Sequence, residues 1–341
     1  MCQGHFLKLI LYSRFLFCYV YRMNSFGTNI VIAGGKGLGM FSGAKVVKEW
    51  RPEDIANPYG IPSGKISLIE WEGAKIFCFS RHGDLQQLAP HDIPYLANAY
   101  AIKMLGVKYW VSVSLSTSLK GKQVLGDVVV PDDYISSNAH RKDQFFSLET
   151  ISGLVLYIDN YLGTVSPNLK EALKTAAERA DVALAVNLQA NQRDIPPSDL
   201  IIFAGINGPH TGTWAEEKML TTTFSNVVSG MTNMTEALVC AQAGISFAAL
   251  NFIGGTGMNY GSIAGSLATY LTPTTGGIDA KIIPILKEFV KISLPAAPTR
   301  TMQEFLSMCT GGAPVLEAIQ NPNAKHSVPP LLIDIVKVLA P

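Results

Sequence analysis

The sequence has almost no surplus of charge: 27 Lys and Arg stand against 26 Asp and Glu, a formal net charge of +1. A chain so balanced has no global field to draw it onto nucleic acid, so an anion it binds must be held locally. Spacings that announce metal or disulfide chemistry are missing too. The five cysteines (Cys2, Cys18, Cys78, Cys240 and Cys309) contain no CxxC pair, and their odd number argues against a closed disulfide framework and for a reducing compartment. Six histidines occur without HExxH or another ligand spacing, which excludes a dedicated metal site. The apolar stretch Phe6 to Tyr21 is interrupted by Lys8 and Arg14, against a transmembrane span. Acidic residues are absent from positions 1 to 48. Residues 1 to 25 therefore read as an extension upstream of a start at Met23, or as a targeting leader that would send a cytoplasmic protein to an organelle. Residues 26 to 341 read as a single domain, without internal repeats or low-complexity segments.

What is present is an alternation of strand and helix signals. Asn29 to Gly39 (NIVIAGGKGLG) is an apolar run ending in glycines, a buried strand feeding a tight loop whose N–H groups can approach an anion. GxGxxG is absent, which disfavours a dinucleotide site. Further strands are expected at Lys75 to Ser80, Tyr109 to Ser114, Asp127 to Pro131, Leu200 to Ala204 and Phe247 to Ile253. Helices are expected at Ile93 to Leu105, Leu169 to Ala180 and Thr235 to Ala243, with a helical C-terminal cap over Ile282 to Ile292 and Met302 to Met308. The Pro-rich stretches at 194 to 197 and 294 to 298 read as loops. This pattern specifies a layered α/β domain.

The sharpest chemical signal is Ser80-Arg81-His82-Gly83 at a strand end, where a planar guanidinium and an imidazole can grip an oxyanion. The run RHGDLQQLAPHDIPYLANAYAIKMLGV (81 to 107) resembles that of the methylthioadenosine phosphorylase and purine nucleoside phosphorylase family. Gly34 to Leu38 (GGKGL), Asn57 to Ser63 (NPYGIPS), Gly126 to Asp132 (GDVVVPD), Gly208-Pro209 with Ala215-Glu216, and Gly230-Met231-Thr232 to Glu236 are similar to further motifs of that family, in the family's order. The resemblance implies a three-layer α/β/α domain around a mixed, partly barrel-like sheet, assembled as a homotrimer. It also implies attack of inorganic phosphate, as co-substrate, on the anomeric carbon of a nucleoside, with no metal or organic cofactor. Partners would be a small-molecule nucleoside and phosphate, with no nucleic acid or membrane involved.

Carried over by position, the resemblance implies phosphate-binding by Lys36, Arg81, His82, Ser114 and Thr232, with Arg81 and His82 catalytic and Met231 a wall beneath the sugar. Lys36 stands where a hydroxyl is usual; its ammonium either binds the anion, takes the anion's place, or points into solvent. On the base side, Thr211 replaces a packing aromatic, Gly212 a Glu or Ser, and Gly255 the Asp or Asn that contacts the purine at N7. Asn251, Thr256 or Asn259 are candidates to replace that contact after a local shift. Gln86 stands where a His is frequent. Glu236 is read as support for its loop or helix start, and His91 and Asn98 as structural hydrogen-bonding groups.

The leading expectation is phosphorolysis of a methylthioadenosine-like or other purine nucleoside to free base and ribose 1-phosphate, a glycosyltransferase reaction of purine salvage. The alternatives are a hydrolase or lyase of the same fold with an altered base pocket, and a non-catalytic binder of a nucleoside or anion. Arg81→Ala is expected to weaken phosphate-dependent activity more than folding.

Overall fold

The computed structural model describes residues 26–35, 37–138, 141–145, 165–189, 194–256, 277–297, 300–307, 309, 312–321 and 330–340. Residues 1 to 25, Lys36 and Asn259 lie outside them. Eleven strands are described: β1 (Ile30–Gly34), β2 (Lys45–Trp50), β3 (Ile66–Trp71), β4 (Ala74–Ser80), β5 (Tyr109–Lys120), β6 (Val128–Val129), β7 (Asp133–Ser136), β8 (Leu184–Ala185), β9 (Ile201–Gly205), β10 (Asn226–Gly230) and β11 (Ser246–Thr256). The helices are α1 (Tyr95–Met104), α2 (Pro167–Arg179), α3 (Trp214–Thr223), α4 (Asn233–Gln242), α5 (Ile278–Phe289), α6 (Met302–Ser307), α7 (Gly312–Gln320) and α8 (Pro330–Leu339).

All strands join one mixed sheet in the order β2-β3-β4-β1-β5-β10-β9-β7, with β11, β6 and β8 branching from the other side of β5. The sheet is not closed. Helices cover both faces, as expected for the three-layer α/β/α class. The alternation along β5 decides which side chain meets which layer. Tyr109, Val111 and Val113 enter a core with Leu169, Ala172 and Leu173 of α2 and Ile282, Ile285 and Phe289 of α5. Trp110 faces the opposite core, with Ala99 and Ile102 of α1, Val239 of α4 and Ile335 of α8. Ser112, Ser114 and Ser116 follow Trp110 on that second face.

Two glycines stop helices. After α1, Gly106 takes φ +80° and Val107 N–H returns to Ile102 O at 3.4 Å; after α4, Gly244 takes φ +63° and Ile245 N–H returns to Cys240 O at 2.9 Å. Both follow the left-handed C-terminal pattern that glycine adopts without a Cβ penalty. Each stop delivers the chain into the sheet, at β5 and β11.

Several bounds differ from the sequence expectation. β5 runs to Lys120 instead of ending at Ser114, because its serines are satisfied inside the fold. β11 runs to Thr256, so Gly254 and Gly255 belong to a strand with a register shift between Ile253 and Gly255, and are not a turn. β2, β3, β7, β8, β10, α3, α7 and α8 were not anticipated.

Candidate active site

The site is made by the path of β5. Its first half pairs in parallel with β1 (Ile30↔Tyr109 to Ala33↔Ser112), and its second half pairs antiparallel with β10 (Ser229↔Thr117, Val227↔Lys120). β11 follows its other edge through both halves. β1 and β10 thus share one edge of β5 and part between residues 113 and 116. Their C-terminal ends, and that of β4, turn toward this gap, the position at which open α/β sheets place ligands.

Arg81 follows β4 and is only 2% exposed. Its backbone N–H reaches Gly34 O at 3.2 Å, tying it to the end of β1. The guanidinium fills the gap: Nη1 donates to Val113 O at 2.8 Å, Nη2 to Ala33 O at 3.1 Å and to Ser112 Oγ at 2.5 Å, and Nε to Glu236 Oε1 at 2.6 Å. Glu236 is equally buried and takes a further bond from Ser112 Oγ at 2.6 Å. A guanidinium has five N–H groups. Four are engaged by these protein acceptors, so one Nη1 hydrogen remains for a ligand.

His82 sits beside Gly35, where a Cβ on the glycine would lie 4.0 Å from the imidazole Cδ2. Its Nδ1 lies 2.9 Å from Leu88 O. A carbonyl only accepts, so Nδ1 carries the proton and Nε2 of the neutral ring is an acceptor. Burial, then the neighbouring Arg81 charge, push the His82 pKa below its ordinary value. Gln86 Nε2 donates to Gly35 O and to Ser80 Oγ, holding the glycine loop in place.

Ser114 and Thr232 meet through Asn233, the first residue of α4. Asn233 Nδ2 donates to Ser114 Oγ at 2.8 Å and to Asn251 Oδ1 at 2.6 Å, while Thr232 Oγ1 lies 3.4 Å from Asn233 Oδ1. Asn251 is fully buried, and its Oδ1 also receives Ser114 Oγ at 2.8 Å and Ser116 Oγ at 2.9 Å. That saturation makes Asn251 a hub of the wall; its side-chain oxygen has no capacity left for a base. Arg81 and the Ser114–Asn233–Thr232 chain thus meet β5 at this gap, and His82 lies beside the glycine loop that follows β1.

Ile206 to Gly208 form the opposite rim, where Ile206 N–H donates to Gly230 O at 2.9 Å. Gly208 packs on Met231, whose Sδ would lie 2.6 Å from a Cβ at 208. Thr211 is half-buried and Gly212 buried, just before α3. Gly255 is buried in β11, opposite Thr117. Asn98 accepts Ser63 N–H at 2.8 Å, and His91 faces outward with Asp92 at 3.5 Å.

The profile of the Phosphorylase superfamily matches residues 30–268. The chain belongs to this superfamily. An S-methyl-5'-thioadenosine phosphorylase of Synechocystis sp. is 31% identical over 238 residues, covering 69% of this chain and 67% of the relative. That of Hyperthermus butylicus is 31% identical over 228 residues, covering 66% and 74%. Among solved structures, an adenosine/methylthioadenosine phosphorylase of Schistosoma mansoni with adenine superposes with a TM-score of 0.63 at 20% identity, covering 77% of this chain and 90% of that one. A methylthioadenosine phosphorylase from an antarctic soil metagenomic library gives 0.59 at 24%, covering 92% and 99%.

Within this superfamily member, Glu236 was read as support for its loop or helix start, and it sits in the first turn of α4 and is also the ion-pair partner of Arg81. Asn233 and Arg141 escaped the sequence reading. Arg141 joins the two rims: Nη1 donates to Met231 O at 2.6 Å and Thr235 Oγ1 at 3.1 Å, and Nη2 to Asn207 O at 2.5 Å. The guanidinium stacks over Tyr95, 5.4 Å from the ring centroid, and no carboxylate pairs with it among the described residues. Nothing in NAHRKD distinguishes that arginine from its basic neighbours.

Proposed function

We propose that the protein is a nucleoside phosphorylase that transfers the ribosyl group of a methylthioadenosine-like or other purine nucleoside to inorganic phosphate. The observation that supports this reading is the buried Arg81 guanidinium, tied to the end of β1 and to Glu236 at the gap in β5, in a chain of the phosphorylase superfamily. Phosphate would be held by Lys36, His82, Ser114 and Thr232 and by the remaining Nη1 hydrogen of Arg81. A phosphate oxygen forms the bond to the anomeric carbon as the bond from that carbon to the base nitrogen breaks. The bonding pair leaves with the base, which takes up a proton. The sugar passes through an oxocarbenium-like state that the anion stabilises from below, beside Met231. Thr211, Gly212 and Gly255 line the base side.

We further propose a homotrimer acting in the cytoplasm, returning purine base to salvage and needing no organic cofactor. Cys78, Cys240 and Cys309 are all buried as thiols, in keeping with a reducing compartment. No helix among the described residues is long and apolar enough to cross a membrane.

The test is incubation with methylthioadenosine, adenosine, inosine, guanosine and pyrimidine nucleosides, with and without phosphate. Free base and ribose 1-phosphate should appear only with phosphate. Release without phosphate, or no release from any nucleoside, overturns the reading.

A further inference from the structure

Two of the hydroxyls proposed to meet phosphate are held by one amide. Asn233, fully buried as the first residue of α4, turns both Nδ2 hydrogens toward the sheet, to Ser114 Oγ at 2.8 Å and Asn251 Oδ1 at 2.6 Å. Its Oδ1 turns the other way, 3.4 Å from Thr232 Oγ1 and 3.2 Å from Ser112 Oγ. The Asn251 amide is oriented by its own strand, because Nδ2 donates to Ala249 O at 3.4 Å. With the oxygen of Asn251 facing Asn233, only the nitrogen of Asn233 can point back at it.

The hydrogens of this network do not balance. An amide oxygen has two lone pairs. Three donors converge on Asn251 Oδ1: Asn233 Nδ2, Ser114 Oγ at 2.8 Å and Ser116 Oγ at 2.9 Å. The Asn233 hydrogen cannot rotate away, and Ser116, 3% exposed, has no other acceptor among the described residues. Ser114 alone of these groups is half-buried, at the point where β1 and β10 part along β5. Its hydrogen is therefore the surplus one, and turning it into the gap leaves Asn251 Oδ1 satisfied.

Thr232 is held as loosely. It stands at the N-cap of α4, where a threonine hydroxyl ordinarily accepts an N–H of the first turn, and its side chain makes no such bond. Among the described residues its hydrogen meets only Asn233 Oδ1, at the long distance of 3.4 Å. Ser112, the other neighbour of that oxygen, gives its single hydrogen to Glu236 Oε2 at 2.6 Å.

We propose that Asn233 is a positioning residue for phosphate, fixing the oxygens of Ser114 and Thr232 while both hydrogens stay free to turn onto an oxyanion in the gap. This deepens the phosphorylase reading and rests on it for the identity of the anion. The arriving ligand has only two hydroxyl rotors to turn, so little binding energy goes into rearranging the wall.

Calorimetric binding of inorganic phosphate, without nucleoside, tests the assignment apart from turnover. Asn233→Leu should bind phosphate about tenfold more weakly, the fold-change of one lost hydrogen bond, while KM for the nucleoside holds. In a Ser114→Ala background the same substitution should cost less, because Asn233 acts through that hydroxyl. Ser116→Ala removes a hydroxyl that does not meet the ligand, yet it too should weaken phosphate binding, since Asn251 Oδ1 then keeps the Ser114 hydrogen. A purely structural Asn233 would lower the melting temperature and leave phosphate affinity unchanged. Wild-type affinity in Asn233→Leu or in Ser116→Ala, an equal loss in the Ser114→Ala background, or no phosphate binding by wild type overturns the proposal. Phosphate binding as expected with no phosphate-dependent nucleoside cleavage would instead leave Asn233 in place and sink the phosphorylase reading alone.

Discussion

Arg81 Nε and Glu236 Oε1 are 2.6 Å apart, joining the end of β4 to the first turn of α4 across 155 residues of sequence. The pair is buried at both ends, and its remaining bonds run to Ser112 and to carbonyls of two strands. It braces the gap in β5 as well as lining it.

Arg81→Ala should consequently cost folding as much as chemistry, unlike the expectation from the motif alone. Removing one partner of a buried pair leaves the other uncompensated, a loss of about 3–5 kcal/mol. Urea denaturation should show a lower midpoint for Arg81→Ala and for Glu236→Gln. The double variant should lose less than the sum of the two, and equal midpoints for wild type and Arg81→Ala would contradict the bracing role.

Arg141→Ala should act on the nucleoside and spare phosphate. The guanidinium holds the Met231 and Asn207 carbonyls, on either side of the proposed sugar, and touches no proposed phosphate contact. We expect kcat/KM for the nucleoside to fall roughly tenfold to hundredfold with KM for phosphate little changed. Arg141→Lys should rescue poorly, since one ammonium cannot span both carbonyls. Equal loss in both KM values would refute this division.

His82 sets a pH window. Its folded pKa is lowered from an ordinary value of 6.5, so the unfolded chain binds the proton first as pH falls. The stability tied to the neutral ring is complete above that value and is lost as pH falls through 6.5 toward the lowered one. Thermal melts across this window should be steeper for wild type than for His82→Asn. Parallel curves would show that the imidazole does not titrate as its surroundings require.

Gly37→Ala tests the anion loop. Gly37 has φ +50°, and a Cβ there would lie 2.8 Å from Ser80 N, a backbone atom that cannot swing aside. The left-handed conformation alone costs an L-residue about 1–2 kcal/mol. Phosphate KM should rise more than nucleoside KM, measured at saturating concentration of the other substrate.

The layered fold and the anion side could be read from the sequence because their signals are local. Apolar runs ending in Gly34 or Ser80, and the Arg81-His82-Gly83 motif at a strand end, carry their structural meaning within a few residues. The tail of β5 could not be read so, since Ser114, Ser116 and Ser118 look like a strand ending until Asn233 and Asn251 arrive to satisfy two of them. The pairing of Glu236 and the role of Arg141 were hidden for the same reason: their partners come from distant strands and loops. The expected last strand stopped at Ile253 because side-chain pattern cannot reveal that β5 continues beside Gly255 and Thr256.

The serines at 112, 114 and 116 occupy every second position on a strand whose intervening residues are Val113 and Leu115. Inserting or deleting one residue just before Ser112 would rotate this whole row, presenting isopropyl and isobutyl groups where hydroxyls now stand. Backbone pairing to the neighbours would survive such a slip, so the sheet would tolerate an error that turns the cleft greasy. Side-chain parity, more than any single hydroxyl, is what this segment of chain must preserve.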